Sequence, residues 1–224
     1  MPAITHVIFD LDGLILDTER LYDVAIQNVL DPYGKQYTYE LKKKIMGMKY
    51  VNAMGVVKEQ LEVPLTAEEL VSLSMEQLST LFPKCGLMPG AERLIRHLAA
   101  HKVPICIATG SSSADYKLKT QNHGELVGLM EFTVRSDDPD VKHGKPDPDI
   151  FLIAMGRFSA APASPQHCLV LEDAPNGVLA ARAAGMQSVM VPDPRLKDMP
   201  PADKILKSLE EFIPEEFGLP SFTE

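Results

Sequence analysis

The amino-acid sequence predicts an α/β protein, a parallel sheet covered by helices, with an all-helical stretch inserted near its start. Three observations carry that expectation. Short apolar runs around Val7-Ile8-Phe9, Ile105-Cys106-Ile107-Ala108, Cys168-Leu169-Val170-Leu171 and Val189-Met190-Val191 are near-continuous, as strands buried on both faces are. From Met88-Pro89-Gly90 onward these runs alternate with helical patterns, which is how parallel strands and their crossover helices are arranged. Between the first run and that point the spacing is helical throughout.

The first strand closes on Phe9-Asp10-Leu11-Asp12-Gly13. Two carboxylates alternating with a leucine cannot both be solvated surface of an otherwise apolar strand, and Gly13 supplies a tight turn that leaves both near a sheet edge. An Asp-rich turn is the plain alternative. A calcium loop fits worse, because it needs its Gly two places later and is approached through a helix. Leu21 to Leu30 then shows helical spacing, with Asp31-Pro32-Tyr33-Gly34 as a stop, and another helix reads through Leu41 to Ile45. Thr66-Ala67-Glu68-Glu69 has the spacing of a capping box and opens a helix carrying Leu70, Leu73, Leu78 and Leu81.

The second strand, Ile105 to Ala108, runs into Thr109-Gly110-Ser111, with Ser112 and Ser113 following. Thr109 can donate its hydroxyl to a phosphoryl oxygen, and Gly110, lacking a Cβ, lets backbone N–H groups come close to the same oxygens. An ordinary helix N-cap would use the same residues. In His143-Gly144-Lys145-Pro146-Asp147-Pro148-Asp149 two prolines stiffen the chain after a lysine, and Pro146 steers Lys145 out of the helical region. A rigidly aimed ammonium is a counter-charge for a carboxylate and a phosphate sharing one small space; a solvated turn before a helix starting near Asp149 is the alternative.

The second acidic strand end, Glu172-Asp173, leads through Ala174-Pro175-Asn176-Gly177 into an Ala-rich helical stretch that reaches Gly185. Adjacent carboxylates there, beside Asp10, are an electrostatic liability unless a cation sits between them. A few hard oxygen ligands with room for water suit magnesium better than a closed cage for zinc or calcium.

The ordered set of strand-Asp-x-Asp, strand-Thr, Lys-Pro and strand-Glu-Asp resembles the haloacid dehalogenase-like hydrolase superfamily. The resemblance implies a Rossmann-like core, residues 1–16 and 85–224, with an inserted α-helical cap of the C1 type at 17–84. It implies Asp10 as nucleophile, Asp12 as general acid and base, and Thr109, Gly110 and Lys145 as binders of the substrate phosphate. It further implies Mg2+ held by Asp10, the backbone carbonyl of Asp12 and Asp173, with Glu172 acting directly or through water. Met88 through Glu92, His143 through Phe151, Glu172 through Val178, Ala184 through Gln187 and Phe217 through Ser221 narrow the resemblance to the pseudouridine-5'-phosphatases. The implied reaction is hydrolysis of a small phosphomonoester, pseudouridine 5'-phosphate, through an aspartyl-phosphate. Sugar-phosphate hydrolysis and phosphomutase chemistry are the alternatives on the same scaffold, and a phosphorylation switch of the receiver type is a third class that the Asp12 acid and the helical insertion disfavour. Within the cap, Met46-Gly47-Met48-Lys49 is the candidate substrate loop, with Gly47, Met48 and Lys49 at its centre; an interhelical turn with a surface lysine is the alternative. A mobile lid over a charged site excludes water and completes substrate contacts.

Composition agrees with this class. The chain has 224 residues, 45% of them hydrophobic, ample for a buried core. A formal charge of −9 disfavours nucleic acid or an anionic membrane as partner, both being polyanions, without forbidding a small anion drawn in by a local field. Cys85, Cys106 and Cys168 make an odd count without metal-like spacing, which fits a reducing compartment. Met1-Pro2-Ala3-Ile4-Thr5 lacks the basic start and apolar core of a signal peptide, and no run approaches the roughly 20 apolar residues of a membrane helix, so the expected location is cytoplasmic.

Overall fold

A computed structural model of the chain describes residues 2–45, 48 and 50–222. The chain divides into two compact units, one made of Met1–Asp17 with Gly86–Glu224 and the other of Thr18–Cys85.

The larger unit is built on a six-stranded parallel sheet. Its strands are β1 (His6–Phe9), β2 (Ile105–Ala108), β3 (Thr133–Val134), β4 (Cys168–Glu172), β5 (Gln187–Met190) and β6 (Lys204–Ile205), in the order β3-β2-β1-β4-β5-β6. β1 lies between β2 and β4, with Val7 opposite both Ile105 and Leu169. Every residue of β1, β2 and β4 is buried, so these strands show no polar alternation. Ile8, Cys106 and Val170 point to one face, where they pack with Ile150, Phe151 and Ala154 and with Ala180, Ala181 and Ala184. The period of two sends Val7, Phe9, Ile107 and Leu171 to the other face, all of them also buried.

The chain enters the sheet at its centre, fills one side through β2 and β3, then returns to the other side of β1 through β4. The strand order reverses between β1 and β4, and open parallel sheets bind ligands beyond the carboxyl ends of the strands at such a point.

The helical unit consists of α1 (Glu19–Leu30), α2 (Tyr39–Ile45), α3 (Tyr50–Leu61) and α4 (Ala67–Leu81). α1 buries Leu21, Ala25, Ile26, Val29 and Leu30, the stripe its spacing predicts, and Gly34 closes the following turn at φ 64°. Thr66 and Glu69 form a reciprocal capping box: the Glu69 amide donates to Thr66 Oγ1 at 3.1 Å and the Thr66 amide to Glu69 Oε2 at 2.7 Å. Leu73 of α4 is exposed, whereas its neighbour Ser74 is buried, donating to the Leu70 carbonyl at 2.5 Å and accepting from Tyr50 Oη at 2.9 Å. Hydroxyls of this kind enter a core when each bond they need is supplied within it.

Cys85, Cys106 and Cys168 are free and buried. Burial pushes the Cys168 thiol up to about 11 and Cys106 well above its ordinary value, which keeps both as inert thiols. Among the described residues no helix is long and apolar enough to cross a membrane.

Candidate active site

The three acidic or hydroxylic strand ends meet because β1, β2 and β4 are neighbours. Asp10 is the first residue beyond β1, its amide donating to the Leu171 carbonyl at 2.9 Å. Glu172 ends β4, and Thr109 follows β2 with its amide donating to the Val134 carbonyl at 3.0 Å. Gly13, at φ 74°, then turns the chain back so that its amide donates to the Leu16 carbonyl at 2.8 Å, holding the Asp12 loop against the sheet edge.

Lys145 is the centre of the first group. Its Nζ donates to Asp10 Oδ1 at 2.6 Å, to Glu172 Oε1 at 2.6 Å and to the Ala108 carbonyl at 3.1 Å, and it lies 4.9 Å from the Phe151 ring centre. All three of its protons have acceptors, so the ammonium is held rather than merely nearby. The loop that carries it is itself braced: Asp149 Oδ2 accepts from the amides of Lys142 at 3.1 Å and His143 at 2.9 Å, at the start of α8 (Asp149–Arg157) if the helices of the larger unit are numbered α5 (Ala91–Ala100), α6 (Ser113–Thr120), α7 (Gly124–Val127), α8 and α9 (Pro175–Ala183).

Glu172 is almost wholly buried, and its second oxygen accepts from the amides of Asp173 at 3.1 Å and Ala174 at 3.2 Å. The turn into α9 passes so close that a Cβ on Gly177 would sit 1.8 Å from Glu172 Oε1. Gly177 is therefore a requirement of the carboxylate, not of the helix.

Asp10, Glu172 and Asp173 each offer an oxygen within 4.8 Å of the others. An all-carboxylate donor set of this size, with one lysine to offset it, fits a hard divalent cation that keeps part of its water shell. Burial is the largest influence on Asp10 and raises it; Lys145 opposes this, while Glu172 and Asp12 add to it, and the carboxyl is raised from its ordinary value to about 7. A solvated aspartate ionises at lower pH than this buried one. Burial alone would lower Lys145, yet the Asp10 and Glu172 carboxylates outweigh it and hold the ammonium above the usual lysine value.

Asp12 belongs to a second group. Its Oδ2 accepts from Ser111 Oγ at 2.6 Å and from Thr109 Oγ1 at 3.4 Å, and its Oδ1 accepts from Lys119 Nζ at 2.6 Å. Thr109 Oγ1 also accepts from the Ser111 amide at 3.0 Å. Gly110 is exposed, and a Cβ built on it would meet no protein atom within 4 Å, so the space beside its backbone is open.

Sequence reasoning did not single out Lys119 or Ser111 as site residues. Lys119 sits in a helix whose residues are mostly charged or small, a pattern that reads as a solvated face. Of the candidate cap loop, Gly47 and Lys49 lie outside the described residues, and Met48 is exposed.

Residues 7–191 match the haloacid dehalogenase-like hydrolase family. The chain belongs to that family. It is 50% identical over 227 residues to a Drosophila melanogaster protein named probable pseudouridine-5'-phosphatase, covering 100% of this chain and 98% of that one. It is equally 50% identical to (DL)-glycerol-3-phosphatase 2 of Arabidopsis thaliana, covering 99% of this chain and 94% of the relative. Among solved structures, the β-phosphoglucomutase of Clostridium difficile superposes with a TM-score of 0.69 at 24% identity over 95% of each chain, a likeness of fold. The protein is accordingly a phosphoric monoester hydrolase, a phosphatase of small phosphate esters.

Proposed function

We propose that the protein is a magnesium-dependent phosphatase that works through an aspartyl-phosphate on Asp10, with pseudouridine 5'-phosphate as substrate. The observation that carries the mechanism is the convergence of Asp10, Lys145, Glu172 and Asp173 at the switch point of the sheet. Lys145 occupies Asp10 Oδ1, so Oδ2 is the oxygen we assign to attack on phosphorus. The Thr109 hydroxyl, the backbone beside Gly110 and Lys145 take the phosphoryl oxygens. As the phosphorus–oxygen bond to the alcohol breaks, Asp12 gives its proton to the leaving oxygen. The same carboxylate then takes a proton from water as that water attacks the aspartyl-phosphate, releasing phosphate and restoring Asp10. A divalent cation bound at Asp10, Glu172 and Asp173 supplies positive charge where the phosphate and the attacking carboxylate meet.

The same donor set predicts how cation binding depends on pH. Without metal, the folded protein holds a proton on Asp10 between the ordinary carboxylate value and about 7, where the unfolded chain does not. The stability from this group is fully present below the ordinary value and is lost as pH rises through about 7. A cation competes with that proton. Mg2+ should therefore raise Tm, relative to chelator, by about 5 °C at about pH 8 and by much less at about pH 5. Thermal unfolding in EDTA and in Mg2+ at both pH values measures this; an equal or larger shift in acid would remove Asp10 from the cation site.

The substrate rests on the likeness to the Drosophila protein over the whole chain. Pseudouridine has a carbon–carbon glycosidic bond that frees a ring N–H absent from uridine, so the two 5'-phosphates differ in hydrogen bonding more than in shape. We assign that discrimination to the helical unit as a cap. The expected kcat/KM for pseudouridine 5'-phosphate exceeds that for uridine 5'-phosphate by at least about 10². The equal identity to the Arabidopsis enzyme supports a second reading, glycerol 3-phosphate. Phosphate release from both nucleotides, glycerol 3-phosphate and glucose 6-phosphate decides between them: equal rates on the two nucleotides, or a preference for glycerol 3-phosphate, discards the nucleotide.

A further inference from the structure

Lys119 is the feature of the larger unit that the mechanism above does not use. Its side chain is 1% exposed although it is one of the longest cations available, and it lies near the end of α6, where Leu118 beside it is less buried. Besides Asp12 Oδ1 at 2.6 Å, its Nζ donates to Ser111 Oγ at 2.8 Å, and that hydroxyl donates onward to Asp12 Oδ2 at 2.6 Å. The three side chains close a ring in which each carboxylate oxygen has its own donor. α6 is fixed at its other end, because Ser112 accepts from the Asp115 amide at 3.2 Å and Asp137 accepts from both the amide and hydroxyl of Ser113 at 2.9 Å. The ammonium therefore approaches from a rigid element.

A buried ion pair is weak evidence of stability, since an apolar side chain of similar volume often serves as well. What an apolar residue cannot do is set the plane of a carboxylate. We propose that Lys119, with Ser111 as bridge, is a positioning residue for Asp12. It grips Oδ1 from the buried side, while Oδ2, which accepts only neutral hydroxyls among these contacts, from Ser111 at 2.6 Å and Thr109 at 3.4 Å, is the oxygen assigned to exchange a proton with the leaving oxygen and then with water. The assignment rests on Asp12 being the general acid and base.

Lys119→Met keeps the length and removes the charge. With the better of pseudouridine 5'-phosphate and glycerol 3-phosphate, it should lower kcat by about 10²-fold with KM changed by no more than about twofold. The single-turnover phosphorylation rate with p-nitrophenyl phosphate, whose leaving group needs little protonation, should fall far less. In an Asp12→Asn background the same change should cost less than about twofold more, because its route to the reaction is already gone. If Lys119→Met does not fold, Ser111→Ala carries the same cycle, with a loss of about tenfold that likewise vanishes beside Asp12→Asn. Equal losses on both esters, or the same loss with and without Asp12, would overturn the positioning role while leaving the acid–base reading in place. An Asp12→Asn enzyme with undiminished kcat would remove that reading and the positioning role with it.

Discussion

Asp10→Asn is expected to lower kcat by about 10⁵-fold or more on any phosphomonoester the enzyme accepts, with the fold retained. In the proposed mechanism the amide cannot form the aspartyl-phosphate, and it brings no charge to the proposed cation site. The neighbouring acids have other partners: Glu172 accepts from Lys145 and two backbone amides, and Asp12 accepts from Ser111 and Lys119. The fold should survive because asparagine has the shape of aspartate and relieves a buried carboxylate that its surroundings already disfavour. In chelator, Tm is expected to stay level or rise. Phosphate release, with mass spectrometry of the acid-quenched wild-type enzyme for a phosphoryl adduct on the Asp10 peptide, measures the effect. Retention of more than about 1% of wild-type kcat would end the covalent mechanism.

Much of the fold was legible because the central strands are buried on both faces. Runs such as Ile105-Cys106-Ile107-Ala108 and Cys168-Leu169-Val170-Leu171 have no polar alternation to confuse with an edge, and each is the strand it reads as. The helix stops were equally plain where chain chemistry dictates them, as at Gly34 and at the Thr66–Glu69 box. The edges were not. β6 is two residues, Lys204–Ile205, with no apolar run; it pairs with Val189 and Met190 of β5, and the flanking amides of Asp203 and Leu206 donate to the Ser188 and Met190 carbonyls. Local pattern carries no trace of a pairing that depends on a partner.

The site divides in the same way. Asp10, Glu172, Asp173 and Thr109 stand at strand ends, where a polar residue after an apolar run is visible, and a parallel sheet necessarily brings such ends to one side. Lys119 had no such signal. Its burial comes from the charge it meets, not from the pattern of α6, whose partly exposed Leu118 and buried Lys119 reverse the order that hydropathy predicts. Nor could the upward shift of Asp10 be read, since it results from the balance of burial, Lys145 and two other carboxylates.

That balance makes Lys145 the second large effect. Lys145→Met removes the cation that separates Asp10 from Glu172, two buried carboxylates that share it at 2.6 Å each. In chelator the two acids then lose the counter-charge they share, and loss of one partner from a buried ion cluster costs about 3 kcal/mol or more. Mg2+ restores part of the missing charge, so the Tm deficit should shrink when the cation is added. Activity should not return with it. The ammonium is aimed by its bonds to Asp10, Glu172 and the Ala108 carbonyl, and in the proposed mechanism it acts on the phosphoryl oxygens in both ground and transition states. kcat/KM is expected to fall by about 10³-fold, divided between a higher KM and a lower kcat. Steady-state kinetics at saturating Mg2+, beside thermal unfolding with and without the cation, separates the two roles. Wild-type KM and kcat in the folded variant would reduce Lys145 to a strut between two acids, and a Tm deficit untouched by Mg2+ would place the cation elsewhere.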